Sequence, residues 1–165
     1  MPLCTLVGAI HTALPGLSER TRAVVEAVLL SRGSIGSAAR VALHLGLRNR
    51  FELARLLKRE GLPPLHDLAN WGSVLVWTDQ AERTGCSLCQ LAFRQRRDPA
   101  VCYRTVKHTT GFHWQQVRDL GSAWVLQRFI ARCETRASSS LWRSHLTPLR
   151  RVARFPEGRP PLRRS

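Results

Sequence analysis

Two stretches of this chain share one frame. Residues 37–61, SAARVALHLGLRNRFELARLLKREG, and residues 87–111, SLCQLAFRQRRDPAVCYRTVKHTTG, have the same length of 25 and begin 50 positions apart. Each opens on serine (Ser37, Ser87), carries alanine at the same offset (Ala42, Ala92) and closes on glycine (Gly61, Gly111). Apolar positions correspond as well: Val41 with Leu91, Leu53 with Tyr103, Leu56 with Val106 and Leu62 with Phe112. An internal repeat constrains a fold more tightly than local propensity, because both copies must build the same supersecondary unit.

That unit reads as a short helix, a tight turn and a second, basic helix. In the first copy Ser37 caps the first helix, Gly46 supplies the positive φ of a sharp turn, and Asn49 caps the second helix. Leu53, Leu56 and Leu57 then fall on its inner face at helical spacing. In the second copy Ser87 is the cap, with Leu88, Leu91 and Ala92 inward. Asp98-Pro99 combines an N-cap with a proline whose missing N–H costs nothing in a first turn, and Val101, Cys102 and Val106 are the expected buried side of the helix that follows.

The flanking segments complete an all-α reading: two helix-turn-helix subdomains joined by a central helix, with a disordered basic C-terminal tail. Residues 1–17, interrupted by Pro2, Gly8, Pro15 and Gly16, are expected to be irregular. The first unit occupies residues 18–63 and includes a helix capped by Ser18 that buries Ala23, Val24, Ala27, Val28 and Leu30. A connecting helix covers 64–83, apolar all round despite Gly72, so it should pack on several sides. The second unit spans 84–118, and a terminal helix (119–135, its first turn at about 114) directs Trp114, Val117, Leu120, Trp124, Val125, Phe129 and Ile130 inward. Residues 136–165, with three consecutive serines at 138–140 and several prolines, form the tail.

Charge narrows the function. The net charge is +15, with 26 Lys and Arg against 11 Asp and Glu. Residues 136–165 hold eight Arg and one Glu, a net of +7, which leaves +8 to the rest of the chain. The body is therefore basic in its own right and attracts polyanions, nucleic acid above all. A helix presented on a small scaffold fits the major groove, about 12 Å wide. Two such helices suit successive grooves about 34 Å apart. Arg94, Arg96 and Arg97 add charge before the second basic helix, where free backbone amides also favour phosphate.

With these residues in view, the chain resembles the DNA-binding region of the AraC/XylS family of bacterial transcription regulators. Ser37, Ala42, Gly46-Leu47, Arg55, Lys58 and Gly61 stand for the family pattern in the first unit, and Ser87, Ala92, Pro99, Arg104, Lys107, Thr110-Gly111 and Arg118 in the second. The resemblance covers roughly residues 18–118; the first unit is one residue short before Gly61, and Gln95-Arg96-Arg97 replaces the family's Gly-Phe turn in the second. It implies base-reading side chains at Arg48, Asn49, Arg50, Glu52 and Arg55, and at Asp98, Ala100, Tyr103, Arg104 and Lys107. Arginine would pair with guanine and Asn49 with adenine. Ser37, Lys58, Ser87, Arg94, Arg96 and Arg97 are the candidates for backbone phosphates. The expected partner is double-stranded DNA, with RNA polymerase as a second partner and a cytoplasmic, nucleoid-associated location.

Other chemistries find less support. Cys86 and Cys89 form a CxxC, and Cys102, Cys133, His108 and His113 are available, yet no second CxxC or CxxH has metal-site spacing. No metal or other cofactor is expected, and the odd count of five cysteines reads as reduced thiols. No Walker loop, GxSxG or paired-carboxylate motif is present, so the chain is not read as an enzyme. The start lacks a basic n-region and no run of 18 apolar residues occurs, so neither a signal peptide nor membrane partners are expected. Residues 1–17 are too few for the effector domain such regulators carry, and no small-molecule ligand is expected. The rival readings are a protein-binding adaptor or anti-regulator that keeps the fold without reading bases, and an RNA-binding protein.

Overall fold

The computed structural model of the chain describes the backbone of residues 3–145 and the side chains of residues 4–136. Eight helices and no strand occur among the described residues, as the all-α reading requires. They are α1 (Leu3–Ala13), α2 (Glu19–Leu30), α3 (Ala38–His44), α4 (Arg50–Arg59), α5 (Leu65–Thr84), α6 (Leu88–Arg94), α7 (Pro99–Thr110) and α8 (Trp114–His145).

Helix α5 is the spine. Its sequence is apolar round most of its circumference, and Leu68, Trp71, Val74, Leu75, Val76, Trp77 and Ala81 are all buried. It packs on α2, α6, α7 and α8, while α8 also reaches α1, α4 and α7. One continuous apolar cluster runs from Leu6 of α1 through Ala42 and Leu53 to Phe129 and Cys133 of α8. Gly72 sits where α2 crosses closest: a Cβ there would lie 2.4 Å from Val28 Cγ1. The glycine that weakens α5 as an isolated helix thus permits its contact with α2.

Several boundaries differ from the sequence expectation. Residues 3–13 are helical, because Leu6 and Ile10 lie one turn apart and both reach the core at 1% exposure. Helix α2 turns Thr21, Val24, Val25, Val28 and Leu29 inward, leaving Ala23, Ala27 and Leu30 exposed. Ser18 occupies the N-cap position, but its N–H and hydroxyl donate to Glu60 instead, at 2.9 and 2.8 Å. Helix α8 breaks at Gly121 (φ 84°, ψ 170°) and restarts at Ser122. Glu82 caps the restart, its carboxylate accepting from Ser122 N–H and Oγ–H, each at 2.5 Å. The change of direction leaves Leu120 half exposed at 47%. The backbone of 136–145, placed by the sequence reading in a disordered tail, continues α8; the remainder of that tail, 146–165, lies outside the described residues.

Replacing Gly72 by Ala should destabilise the protein by about 1–3 kcal/mol through overpacking, although alanine gains about 1 kcal/mol in helix propensity. Val28 is β-branched and stiff at χ1 in a helix, so it cannot simply swing aside. Urea denaturation checks this, and adding Val28→Ala should recover part of the loss.

Candidate nucleic-acid interface

The two helical pairs close in the same way. In α3–α4 the turn is held by Leu45 and Leu47 N–H donating to Ala42 O (3.1 and 2.9 Å) and Gly46 N–H to Leu43 O (3.0 Å). In α6–α7 the equivalents are Gln95 and Arg97 N–H to Ala92 O (3.0 and 2.9 Å) and Arg96 N–H to Phe93 O (3.0 Å). Gly46 has φ +68°, and Arg96 takes the same left-handed conformation at +53° without glycine's freedom. Both first helices are capped by serine, Ser37 accepting from Arg40 N–H and Ser87 from Gln90 N–H, the latter within a full capping box.

Beyond the turn the register changes. Asn49 caps α4 and Asp98 caps α7, so the second loop is one residue shorter. The buried residues follow that shift: Leu53 pairs with Cys102 and Leu57 with Val106, all at 1% exposure or less. Tyr103 (41%) and Val101 (45%) are exposed, which corrects both the Leu53–Tyr103 correspondence and the expectation that Val101 is core. Because α7 is longer before its glycine, both copies still total 25 residues.

In this register the outward faces match. Helix α4 presents Phe51, Arg55 and Lys58, and α7 presents Ala100, Arg104 and Lys107, each set at i, i+4, i+7 and exposed. Arg59 and His108 extend the two stripes, while Ala54 and Tyr103 flank them. Phe51, 59% exposed in the middle of the α4 face, was missed by sequence reasoning; its spacing from Arg55 and Lys58 marks it. Arg50 lies to one side with its guanidinium carbon 5.0 Å from the Phe51 ring centroid.

Other candidates have work within the fold. Asn49 Oδ1 accepts from Phe51 and Glu52 N–H (2.9 and 3.0 Å), and Glu52 accepts from Arg48 N–H at 2.8 Å, so this pair builds the start of α4. Asp98 accepts from Ala100 N–H at 2.8 Å, and a carboxylate thereby occupies the α7 N-terminus that the sequence reading left open to phosphate. Arg97 is not available as a free phosphate ligand. Its guanidinium donates to Arg32 O (3.3 Å), Ser73 Oγ (3.4 Å) and Ser34 Oγ, and lies 5.6 Å from the Trp77 ring centroid. Gln95 completes this anchorage by accepting from Trp77 Nε1–H at 3.0 Å, which satisfies a buried indole. Arg48, Arg94 and Arg96 remain exposed, as do Ser37 and Lys58; Ser87 is half-buried.

Among the described residues no three His, Cys, Asp or Glu side chains converge on a metal position, and no helix is long and apolar enough to cross a membrane. All five thiols are free. Burial pushes the Cys133 thiol up to about 12 and raises that of Cys102, so both are protonated packing groups. In comparisons with known proteins, no family model, no curated protein and no solved structure matches the chain.

Two outcomes test this geometry. Arg96→Gly should stabilise the fold by up to about 1 kcal/mol, because it relieves a left-handed side chain while loosening the unfolded chain; thermal denaturation reads it. Glu60, which fastens the end of α4 to the start of α2, titrates low. Burial raises its pKa, but hydrogen bonds from Ser18 and Thr21 and the nearby Arg59 outweigh that and hold it below the ordinary glutamate range. A lowered acid stabilises the fold above its unfolded pKa and loses that contribution as pH falls through the folded value. Stability should therefore drop below about pH 4.5, and Glu60→Gln should flatten that part of the profile.

Proposed function

We propose that the chain binds double-stranded DNA sequence-specifically and regulates transcription, with α4 and α7 each entering a major groove, in the manner of the AraC/XylS regulators it resembles. The matched pair of exposed stripes, Phe51–Arg55–Lys58 and Ala100–Arg104–Lys107, carries this reading. A single basic helix is commonly just a solvated face. Two with arginine and lysine at equivalent positions, behind equivalent turns, are what a split site on one face of a duplex demands.

Arg55 and Arg104 are the bidentate donors suited to guanine O6 and N7, and Lys58, Lys107, Arg48, Arg94 and Arg96 serve the phosphates. Phe51 supplies apolar contact for a thymine methyl. Asn49, Glu52 and Asp98 fix the helix starts and act on DNA only through that placement. The DNA would be approached by helix faces rather than helix ends. RNA polymerase, bound beside the same site, is the partner such a regulator would act on.

Selection of bound duplexes from a random pool should return two half-sites about 10 bp apart. Arg55→Ala and Arg104→Ala should each lose about 1–3 kcal/mol of discrimination at one half-site, with circular dichroism unchanged. Affinity should fall about 10³–10⁵-fold between 50 and 200 mM salt if six to ten phosphates are contacted. If the double variant still separates the selected site from random duplex as well as the parent, these helices do not read bases.

A further inference from the structure

Beside the exposed face of α4 lies a groove of about 450 Å³, bounded by α4, the start of α5 and Arg136 of α8. Its floor is apolar, with Leu57, Leu62 and Leu65, and Ala54 opens onto it. Arg50, Phe51, Lys58 and His66 line it as exposed side chains, and no carboxylate among the described residues does, although Asp67 lies 3.6 Å from His66 Nδ1. The groove is thus an apolar trough bordered by the cations Arg50 and Lys58.

We infer that this groove docks an acidic amphipathic helix of a partner protein. An apolar helix face at i, i+3/i+4 and i+7 spacing fills troughs of this kind, and carboxylates flanking that face would meet Arg50 and Lys58. Charge argues against the other occupants. A second copy brings +15 toward the same cations, and the segment 136–165 carries +7. An uncharged small molecule would fill the trough and engage neither Arg50 nor Lys58. Docking covers Arg50 and Lys58 and excludes duplex from α4, so the partner acts as an antagonist; that consequence alone rests on the DNA reading above.

The test is a fluorescence titration of the full chain, without DNA, using a labelled 18-residue peptide with leucines on one helical face and glutamates elsewhere. Micromolar binding is expected, with little for a lysine counterpart or for a glutamate–leucine peptide whose leucines are scattered round the helix. Ala54→Glu, an exposed helix position that tolerates the change, should weaken binding about tenfold or more by placing like charge in the interface. His66→Glu should weaken it by a smaller factor. Equal binding of the scattered peptide, or affinity unmoved by both substitutions, would overturn the proposal. So would displacement by a synthetic peptide of residues 146–165, or a chain dimer that Ala54→Glu dissociates, since either names a different occupant. A second arm adds duplex: release of the peptide supports antagonism, and simultaneous binding removes it while leaving the docking result intact.

Discussion

The burial of α5 is the constraint on which the rest of this molecule depends. A helix that is apolar round most of its surface cannot rest against a single neighbour, so α2, α6, α7 and α8 surround it. Gly72 lets α2 approach, and Trp77, 1% exposed, binds the second turn through Gln95 and Arg97. Helices α6 and α7 pack on this rod directly, whereas α4 packs on α8, so the two helical pairs are joined through a common core. Whatever α4 and α7 contact outside the protein, their placement is set by α5 and α8 together.

Much of this was legible in the chain. The serine caps, the Asp98-Pro99 start and the apolar span of α5 follow from local rules, since each depends on residues within a turn of one another. What was not legible depends on distance. Helix α1 becomes stable only because Leu6 and Ile10 find the core, and residues with Pro2 and Gly8 among them give no local sign of it. Glu60 bonding Ser18 and Glu82 bonding Ser122 join residues about 40 apart, and no spacing announces them. The register of the repeat misled for a different reason. A loop one residue shorter and a cap-to-glycine stretch one residue longer cancel in the total, so equal copies of 25 concealed a shift that only burial of Leu53 and Cys102 exposes.

The site was legible to the extent that its residues face outward by helical spacing. Arg55, Arg104 and Lys107 face outward because Leu53 and Leu57 in α4, and Cys102 and Val106 in α7, take the buried side. Phe51 is not singled out by the sequence, and Arg97 reads there as one more arginine open to phosphate. Its contacts come from Arg32, Ser34 and Ser73, on segments that sequence proximity does not bring near the turn.

The distribution of acids accounts for the character of the surface. Of only 11 carboxylates, Glu52 in the first turn of α4 accepts from Arg48 N–H, Asp98 caps α7, Glu60 serves the start of α2, Glu82 serves the restart of α8, and Asp79, buried in α5, pairs with Arg83 at 2.7 Å. Acids placed at helix N-termini neutralise the positive ends of the helix dipoles, the ends that otherwise attract phosphate. Internal use of these groups has a second effect: they are not spread among the exposed arginines, where they would quench the field. The helix ends are closed to anions and the helix faces are left cationic. The outward sides of α4 and α7 thus keep the exposed cations Arg55, Lys58, Arg104 and Lys107, toward which a polyanion is drawn.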